Sequence, residues 1–435
     1  MAKVLIPSEF RLSRRQFLRR AAAAAAAPLV VPGSVLGLRG AVAPSNRVVF
    51  GAIGVGDRAR EILPSFMTLP DIQCVAVSDC RADRRSSGKE LVDQHYGNRD
   101  CQAYEDFRDL LARKDVDAVC IAIGNRWHGL ASMYAARAGK DVYCEAPATL
   151  TITEGRALVE TCRSFGTVYQ AGTQRRSTAS YRFAADMVRQ GRIGKLQTVE
   201  MQVWEGPTIA LEKAAPVPAG WNYDLWLGQT PWYPFVPGRV NGWRYFWDTA
   251  EGVMTDMGCH YTDQMQWALD ADHTGPVEFE AKGALPDAAR CCSDTPLSGI
   301  ARCKYASGVT GMLYQRGAFK DRYIRYIGED GWIQVDDETD AVTAEPKSIL
   351  GLQARRGAGP DNPAEHVRDL LRSIRSRAPT ICNPETAHRA VTICEAWTIS
   401  LRLARPLKWD PLKEKFDLEE ANRMLYREPR APWRT

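Results

Sequence analysis

A glycine-rich turn follows the first apolar stretch in the body of the chain. Residues 47–53 (RVVFGAI) have the composition of a short buried strand, and Gly54-Val55-Gly56-Asp57-Arg58-Ala59 comes directly after them. This spacing between a strand and a helix is typical of dinucleotide sites, because the glycines allow a tight turn and a close approach of the backbone to a pyrophosphate. The N–H groups that begin the helix favour the anion. We therefore expect Gly54, Gly56, Asp57 and Arg58 to bind a cofactor.

A carboxylate ends the second apolar stretch, residues 72–78 (IQCVAVS), at Asp79. At this position an acid accepts hydrogen bonds from the adenosine ribose and repels a 2′-phosphate, which favours NAD over NADP. Arg81, Arg84 and Arg85 follow it. They either neutralise a 2′-phosphate or form a solvated helix face, so NADP remains the alternative.

A histidine and an aspartate one helical turn apart are the candidates for proton transfer. A helix over residues 255–269 would place Asp256, His260, Asp263 and Trp267 on one face. A histidine whose pKa is near its normal value can accept the proton that leaves a hydroxyl group while a hydride leaves the same carbon. Asp256 would fix the tautomer of this histidine. We predict that His260 and Asp256 are catalytic; the alternative from the residues alone is a capped helix with a satisfied i,i+4 pair.

Other polar residues follow predicted strands of the same sheet. His128 comes after a strand that ends at Ile123, at the carboxyl edge where ligands bind in such sheets, although a solvent-exposed histidine fits equally well. The sequence Gln174-Arg175-Arg176 follows the strand at residues 168–171. Of these three we predict that Gln174 and Arg176 bind substrate, the alternative being an exposed basic turn.

Ten aromatic residues lie between residues 221 and 247. Flat aromatic faces stack on the C–H faces of sugars, which favours a carbohydrate-facing loop. Core packing or an oligomer interface is the alternative for most of them, and we expect two or three, including Trp243, at the substrate. Pro231, Pro234 and Pro237 predict that this segment contains neither strand nor helix.

Two domains must position these residues, since 435 residues exceed one typical domain. Up to residue 171, apolar strands alternate with helices, which predicts parallel βαβ units. From residue 172, half-buried alternation predicts a strand over residues 196–203 and two hairpins. The first hairpin has strands over residues 300–305 and 309–314, and the second over residues 323–327 and 332–335. The prediction is an α/β protein: a Rossmann domain over residues 46–171, then an α/β domain over residues 172–435 with a large, mostly antiparallel open sheet.

The charge and the cysteines exclude several classes of protein. The net charge is +5, but residues 1–45 hold seven Lys and Arg against one Glu and account for +6, so the remainder is at −1. Residues 46–435 therefore lack the net positive charge that would attract nucleic acid. Twelve cysteines occur without a C-x-x-C pair, so we predict neither a metal site nor a disulfide framework.

The N-terminal segment resembles a twin-arginine export signal. Ser13-Arg14-Arg15-Gln16-Phe17-Leu18 precedes an alanine run and a short apolar stretch, which is too weakly hydrophobic for a permanent span. Residues 1–45 are thus predicted to engage the twin-arginine export machinery and direct the folded protein to the periplasm or outside the cell. Ala41-Val42-Ala43 has the form of a cleavage site, but Pro44 follows it, so an uncleaved membrane anchor is the alternative.

The body of the chain resembles the glucose-fructose oxidoreductase/inositol dehydrogenase (Gfo/Idh/MocA) family. The resemblance covers nearly everything from residue 46 onward, in the glycine turn, Asp79 and a series of later segments: Asn125-Arg126-Trp127-His128, Gly139 to Pro147, Gly191-Arg192-Ile193-Gly194-Lys195 and Asp256-x-x-x-His260. It implies a nicotinamide dinucleotide, cofactor contacts from Asn125, His128 and Glu145, a carbohydrate substrate, and a homo-oligomer formed through the C-terminal sheet.

One position departs from that family's pattern. Where members that oxidise alcohols have Glu-Lys-Pro, this chain has Glu145-Ala146-Pro147, and Ala146 cannot move a proton. Three functions remain open: oxidation or reduction of a sugar or polyol, redox-neutral glycoside cleavage or epimerisation with a transiently reduced cofactor, and cofactor binding without turnover. An exported protein cannot count on free NAD(H), so either enzymatic function requires a tightly held cofactor that is recycled in place.

Overall fold

The computed structural model describes residues 42–352 and 363–433. Residues 1–47 and residues 48–435 form separate units. In the first unit, Pro44–Asn46 form a 3-10 turn, and the Arg47 guanidinium donates to the Val42 carbonyl at 3.2 Å. The predicted export signal over residues 1–45 lies almost wholly outside the described residues. None of the helices in the described ranges is long and apolar enough to cross a membrane.

The second unit begins with alternating strands and helices. In chain order these are β1 (Val48–Ile53), α1 (Asp57–Met67), β2 (Ile72–Ser78), α2 (Ala82–Tyr96), β3 (Gln102–Tyr104), α3 (Phe107–Leu111), β4 (Ala118–Ile121), α4 (Asn125–Arg137), β5 (Asp141–Cys144), α5 (Ile152–Phe165), β6 (Tyr169–Ala171) and α6 (Ala179–Arg189). The six strands among these residues form one parallel sheet in the order β3-β2-β1-β4-β5-β6. The predicted Rossmann arrangement is confirmed.

The remainder of the chain adds a second sheet with helices on one side. Its elements are β7 (Leu196–Val203), α7 (Tyr223–Leu227), α8 (Pro237–Asn241), α9 (Val253–Asp256), α10 (Gly258–Ala268), β8 (Glu278–Ala284), β9 (Ser298–Lys304), β10 (Thr310–Gln315), β11 (Tyr323–Gly328), β12 (Trp332–Asp336), β13 (Val342–Glu345), α11 (Pro363–Ser376), α12 (Pro384–Leu403), β14 (Leu407–Asp410), β15 (Lys415–Phe416) and α13 (Glu419–Asn422).

This second sheet has nine strands within the described residues, in the order β13-β12-β11-β7-β10-β9-β8-β14-β15. Only the central pair β7 and β10 is parallel, so the predicted antiparallel sheet is confirmed. Side chains alternate along the strands, so that Met201, Leu313 and Ile324 join a core with α10 and α12. On the opposite face the side chains are more exposed, and Ile300 is 50% exposed.

The C-terminal part of the chain returns to the first sheet. Val367, Leu370 and Leu371 of α11 pack in the same core as Phe50 and Ile62. The Trp433 ring meets the Trp127 ring edge-on at 4.9 Å. Residue 171 is the last residue of β6, and the hydrophobic core around β6 also contains residues from distant parts of the chain, so the domain boundary predicted there stays a prediction.

Two local predictions were wrong. The aromatic segment contains two short helices, α7 and α8, since Tyr223–Leu227 precedes the prolines and Pro237 occupies the first turn of α8, where a missing N–H costs nothing. The helix predicted over residues 255–269 is divided at Met257, with α9 ending at Asp256 and α10 beginning at Gly258. Glycine is a poor residue for a helix interior, which accounts for the division.

All twelve cysteines carry free thiols, most of them buried. Among residues 42–352 and 363–433, no group of histidine, cysteine and acidic side chains has the arrangement needed to hold a metal ion.

Candidate active site

Two adjacent cavities lie at the carboxyl ends of the strands of the parallel sheet. The first, which we term the turn cavity, has a volume of about 170 Å³ and runs from the glycine turn past Asp79 to Trp226. The second, the His260 cavity, has a volume of about 260 Å³. Both are lined by Arg58, Ala122, Ile123, Trp243 and Arg244. Ligands bound in the two cavities would therefore meet at a common wall.

The glycine turn is held tightly between three strands. The Gly54 N–H donates to the Ser78 carbonyl at 2.7 Å, and the φ angle of Gly54 is +82°. A Cβ atom there would lie 2.6 Å from the Ala122 carbonyl oxygen, which real side chains do not tolerate. Gly56 caps α1 in extended conformation, and Asp57 begins the helix. The turn thus presents the N-terminus of α1 to the cavity.

Asp79 lines the turn cavity next to the glycine turn and is tied to the backbone. Its carboxylate accepts from the Val55 N–H at 3.1 Å and from the Arg81 N–H at 2.9 Å. Arg81 pairs with Asp83, and Arg85 donates to the Asp79 carbonyl at 2.7 Å. The third arginine of the group, Arg84, lies beside Gly56: its Nη1 is 2.9 Å from where a Cβ of that glycine would be.

Glu145 is the centre of a buried hydrogen-bond network in the His260 cavity. Its carboxylate accepts from Gln174 Nε2 at 3.0 Å and from the Tyr143 hydroxyl at 3.1 Å. Arg58 Nε forms an ion pair with it at 3.1 Å. The side chain of Ala146 lines the cavity next to this network, and the lining residues include four arginines and no lysine.

Asp256 and His260 both line the His260 cavity, but they do not form the predicted pair. Asp256 accepts from Asn125 Nδ2 at 2.9 Å and pairs with Arg244 Nε at 3.3 Å. His260 Nδ1 is buried and has no hydrogen-bond partner within residues 42–352 and 363–433. Burial, followed by the positive charge of Arg175, holds the pKa of His260 well below its usual value, so the expectation of a normal pKa was wrong. The imidazole is neutral near pH 7 and can accept a proton.

His128 lines the same cavity, but its ring nitrogens face the backbone. Nδ1 lies 2.7 Å from the Pro147 carbonyl oxygen and Nε2 lies 2.9 Å from that of Ile123. Burial lowers the pKa of His128, so a neutral ring donates to one of these carbonyls. Its polar atoms therefore position the loops after β4 and β5 instead of reaching a ligand.

Of the two arginines that follow Gln174, Arg175 lines the His260 cavity and Arg176 does not. Gln174 and Arg175 line the His260 cavity, whereas Arg176 is buried in ion pairs with Asp263 at 2.8 Å and Asp272 at 2.7 Å. The prediction that Arg176 binds substrate was therefore wrong. Residues 174–177 form a 3-10 turn, in which neighbouring side chains point in different directions, and the spacing alone does not show which one meets the site.

Residues from the second sheet complete the cavity, and the sequence offered no signal for them. Phe319 and Arg322 precede β11, and Asp337 follows β12. Burial would raise the pKa of Asp337, but ion pairs with Arg175 and Arg322 outweigh it and hold that pKa well below its usual range. This carboxylate is thus ionised and fixes both guanidinium groups.

Most of the predicted aromatic loop packs on itself. Tyr223, Trp226 and Phe235 form a small core of their own, in which the rings of Tyr223 and Trp226 stack at 5.6 Å. Trp243 alone of the ten aromatics lines the His260 cavity, and it shares the turn cavity with Trp226.

Two family models match this chain and together cover most of it. Residues 48–173 match the model described as an oxidoreductase family with an NAD-binding Rossmann fold. Residues 194–435, more than half of the chain, match the model of the C-terminal alpha/beta domain of the same oxidoreductase family.

Individual proteins are similar over shorter or longer stretches. A 1,5-anhydro-D-fructose reductase from Ensifer adhaerens is 25% identical over 335 residues, 75% of this chain and 87% of that protein. A glycosyl hydrolase family 109 protein from Saccharopolyspora erythraea is 34% identical over 167 residues, 34% of this chain and 36% of that protein. The crystal structure of an aldose-aldose oxidoreductase from Caulobacter crescentus complexed with glycerol has a TM-score of 0.64 at 19% identity, covering 83% of this chain and 99% of that one.

Proposed function

Because this chain belongs to the Gfo/Idh/MocA family of oxidoreductases, we propose that it transfers a hydride between a tightly held NAD(P) and a carbon of a sugar, polyol or related carbohydrate. The observation that carries the proposal is the common wall of the two cavities, which brings the glycine turn and a neutral histidine to one place. The names of the reductase and the oxidoreductase described above support a carbohydrate substrate.

The residues of the turn cavity fit a dinucleotide. The space beside Gly54 is one that a Cβ atom would fill, and the N-terminus of α1 supplies N–H groups for a pyrophosphate. Asp79 would accept from the adenosine ribose, while Arg58 at the common wall and Asn125 and Glu145 of the His260 cavity would surround the nicotinamide end. When bound, the nicotinamide supplies the acceptor or donor of the hydride.

His260 is the group that we propose for the proton. Its neutral ring lies in the His260 cavity, and its unpartnered Nδ1 leaves the tautomer free to follow the substrate. Asp256 contributes by holding Asn125 and Arg244 in place, not by bonding to the imidazole. Gln174, Arg175 and Trp243 offer donors and an aromatic face for sugar hydroxyls and C–H groups.

Redox-neutral chemistry is the second candidate, and Ala146 favours it. With alanine in place of the lysine typical of alcohol-oxidising members, the proton route differs from theirs. The similarity to a glycosyl hydrolase family 109 protein includes a third of this chain. In this alternative, the hydride taken from the sugar returns to it after a glycosidic bond is broken or a centre is inverted.

An absorbance spectrum separates the two candidates. The purified protein is recorded near the reduced-nicotinamide band before and after addition of sugars, polyols and glycosides. Lasting reduction by a free sugar, reversed by a second sugar, supports the oxidoreductase. Cleavage or epimerisation of a glycoside without lasting reduction supports the alternative. A protein that contains no dinucleotide and binds neither NAD nor NADP would refute both.

Export and assembly are further parts of the proposal. Residues 1–45 would carry the folded protein with its cofactor through the twin-arginine route. Replacing Arg14 and Arg15 by lysine keeps the charge, so we expect the double variant to stay in the cytoplasm with its dinucleotide, as measured by cell fractionation. Normal export of this variant would show that the signal is not of this type.

We also propose that a second copy covers the open face of the nine-stranded sheet. That face has large, partly exposed side chains, among them Ile300, Tyr314 and Trp332. Light scattering should give a multiple of the 48.4 kDa chain mass, less the mass of any cleaved signal. Ile300→Lys should lower this mass without loss of helix content, and an unchanged oligomer would exclude this face.

A further inference from the structure

Arg126, the second residue of α4, is a buried guanidinium without an acidic partner. It is 3% exposed, its Nε donates to the Trp226 carbonyl at 2.7 Å, and its Cζ lies 4.0 Å from the centre of the Trp226 ring. Its Nη1 is buried and has no hydrogen-bond partner in the described part of the chain. No carboxylate of the described residues forms an ion pair with it, whereas the equally buried Arg176 pairs with two. An unpaired buried cation is costly, so a partner is expected from outside these described residues.

The position of Arg126 indicates which partner that is. Arg126 lines the turn cavity together with Gly54 and Gly56. A Cβ atom on Gly124, the residue that caps α4, would lie 2.3 Å from Arg126 Nη1. The guanidinium therefore folds back over the N-terminus of the helix. The positive ends of α1 and α4 and the charge of Arg126 therefore belong to one cavity. An anion that enters it meets all three.

Residues 220–228, which we term the closing segment, join the two sides of this cavity. On one side, the Ala82 N–H donates to the Gly220 carbonyl at 2.8 Å and the Asn222 N–H to the Cys80 carbonyl at 2.9 Å. On the other side, Trp127 Nε1 donates to the Leu225 carbonyl at 2.9 Å, next to the bond from Arg126 to Trp226. Leu225 and Trp226 line the cavity between these attachments.

We propose that Arg126 binds a phosphate group of the dinucleotide and couples it to the closing segment. Nη1 would donate to a phosphate oxygen while Nε stays on the Trp226 carbonyl, since a guanidinium offers donors in several directions. A bound phosphate then neutralises the cation and strengthens the hold on residues 220–228, so the cofactor leaves only when this segment opens. The inference rests on the proposed function for the identity of the ligand.

The test compares Arg126→Met, which keeps an apolar stem against Trp226, with Arg60→Met. Arg60 is an exposed residue of α1 that bonds to Ser87 and lines neither cavity, and its replacement changes the net charge equally. NAD and NADP are titrated into cofactor-depleted protein by calorimetry, and their release is followed after dilution. We expect Arg126→Met to weaken binding and speed release by roughly tenfold or more, and Arg60→Met to change either by less than about twofold.

Adenosine, which carries no phosphate, is the second probe. Arg126→Met should leave its affinity unchanged, and the melting temperature of the cofactor-free variant shows that the protein is folded although the Nε bond to the Trp226 carbonyl is lost. An equal loss of affinity for NAD and NADP would show that Arg126 binds the pyrophosphate, and a loss confined to NADP would show that it binds the 2′-phosphate. Either result supports the proposal. Unchanged dinucleotide affinity, or an equal loss for adenosine, overturns it. A native protein that binds no dinucleotide would instead refute the proposed function.

Discussion

Replacing His260 by alanine is the sharpest test of the proposed chemistry. Because Nδ1 has no hydrogen-bond partner among the residues that the structure describes, the substitution breaks no such bond at that atom, and we expect nearly unchanged dinucleotide affinity and folding. The loss of a general acid-base lowers turnover by roughly a hundredfold or more, which corresponds to about 2.7 kcal/mol in the activation free energy. The assay is sugar-dependent change in nicotinamide absorbance, with exposed His273→Ala as the matched control.

The pH dependence of the native protein tests the same residue independently. A base acts when it is deprotonated, so a lowered pKa moves the loss of activity to lower pH. We therefore expect kcat/KM for oxidation to stay level as pH falls from 8 through about 6.5, the ordinary histidine value, and to decline only below it. A midpoint at or above that value, or turnover of His260→Ala close to native, would refute the role assigned to His260.

Three further substitutions test other parts of the structure. Gly56→Val directs a side chain toward Arg84 and the pyrophosphate approach, so calorimetry should detect no binding of NAD or NADP; retained binding would exclude the turn as the cofactor site. Ala146→Lys should lower carbohydrate turnover, because a fifth cationic side chain crowds a cavity that already holds four arginines; a several-fold gain in sugar oxidation with an inert native protein would instead indicate a lost lysine base. Arg176→Met leaves Asp263 buried without its cation and should reduce the free energy of unfolding by about 3–5 kcal/mol in denaturant titration; a loss of substrate affinity with full stability would restore Arg176 to the site.

The sequence alone determined the elements whose signals are local. The strand before Gly54, the glycine spacing and Asp79 after the next strand predicted the parallel sheet and the turn cavity, because backbone conformation and strand burial depend on neighbouring residues. The half-buried alternation at residues 196–203 predicted β7 with the same bounds. Hairpins also close over a few residues, so their strands were predicted to within two residues at each end.

Only the tertiary structure decided which side chains meet. Helical spacing placed Asp256 beside His260, but the division at Met257 and the contact with Asn125, 131 positions earlier, moved that carboxylate elsewhere. Arg175 reaches the cavity because Asp337, 162 positions later, pairs with it there. Such partners come from strands and loops far apart in the chain, and their positions follow from how the two sheets pack. No local sequence pattern contains information about that packing. The glycine turn could therefore be predicted from the sequence, whereas the arrangement of side chains around His260 could not.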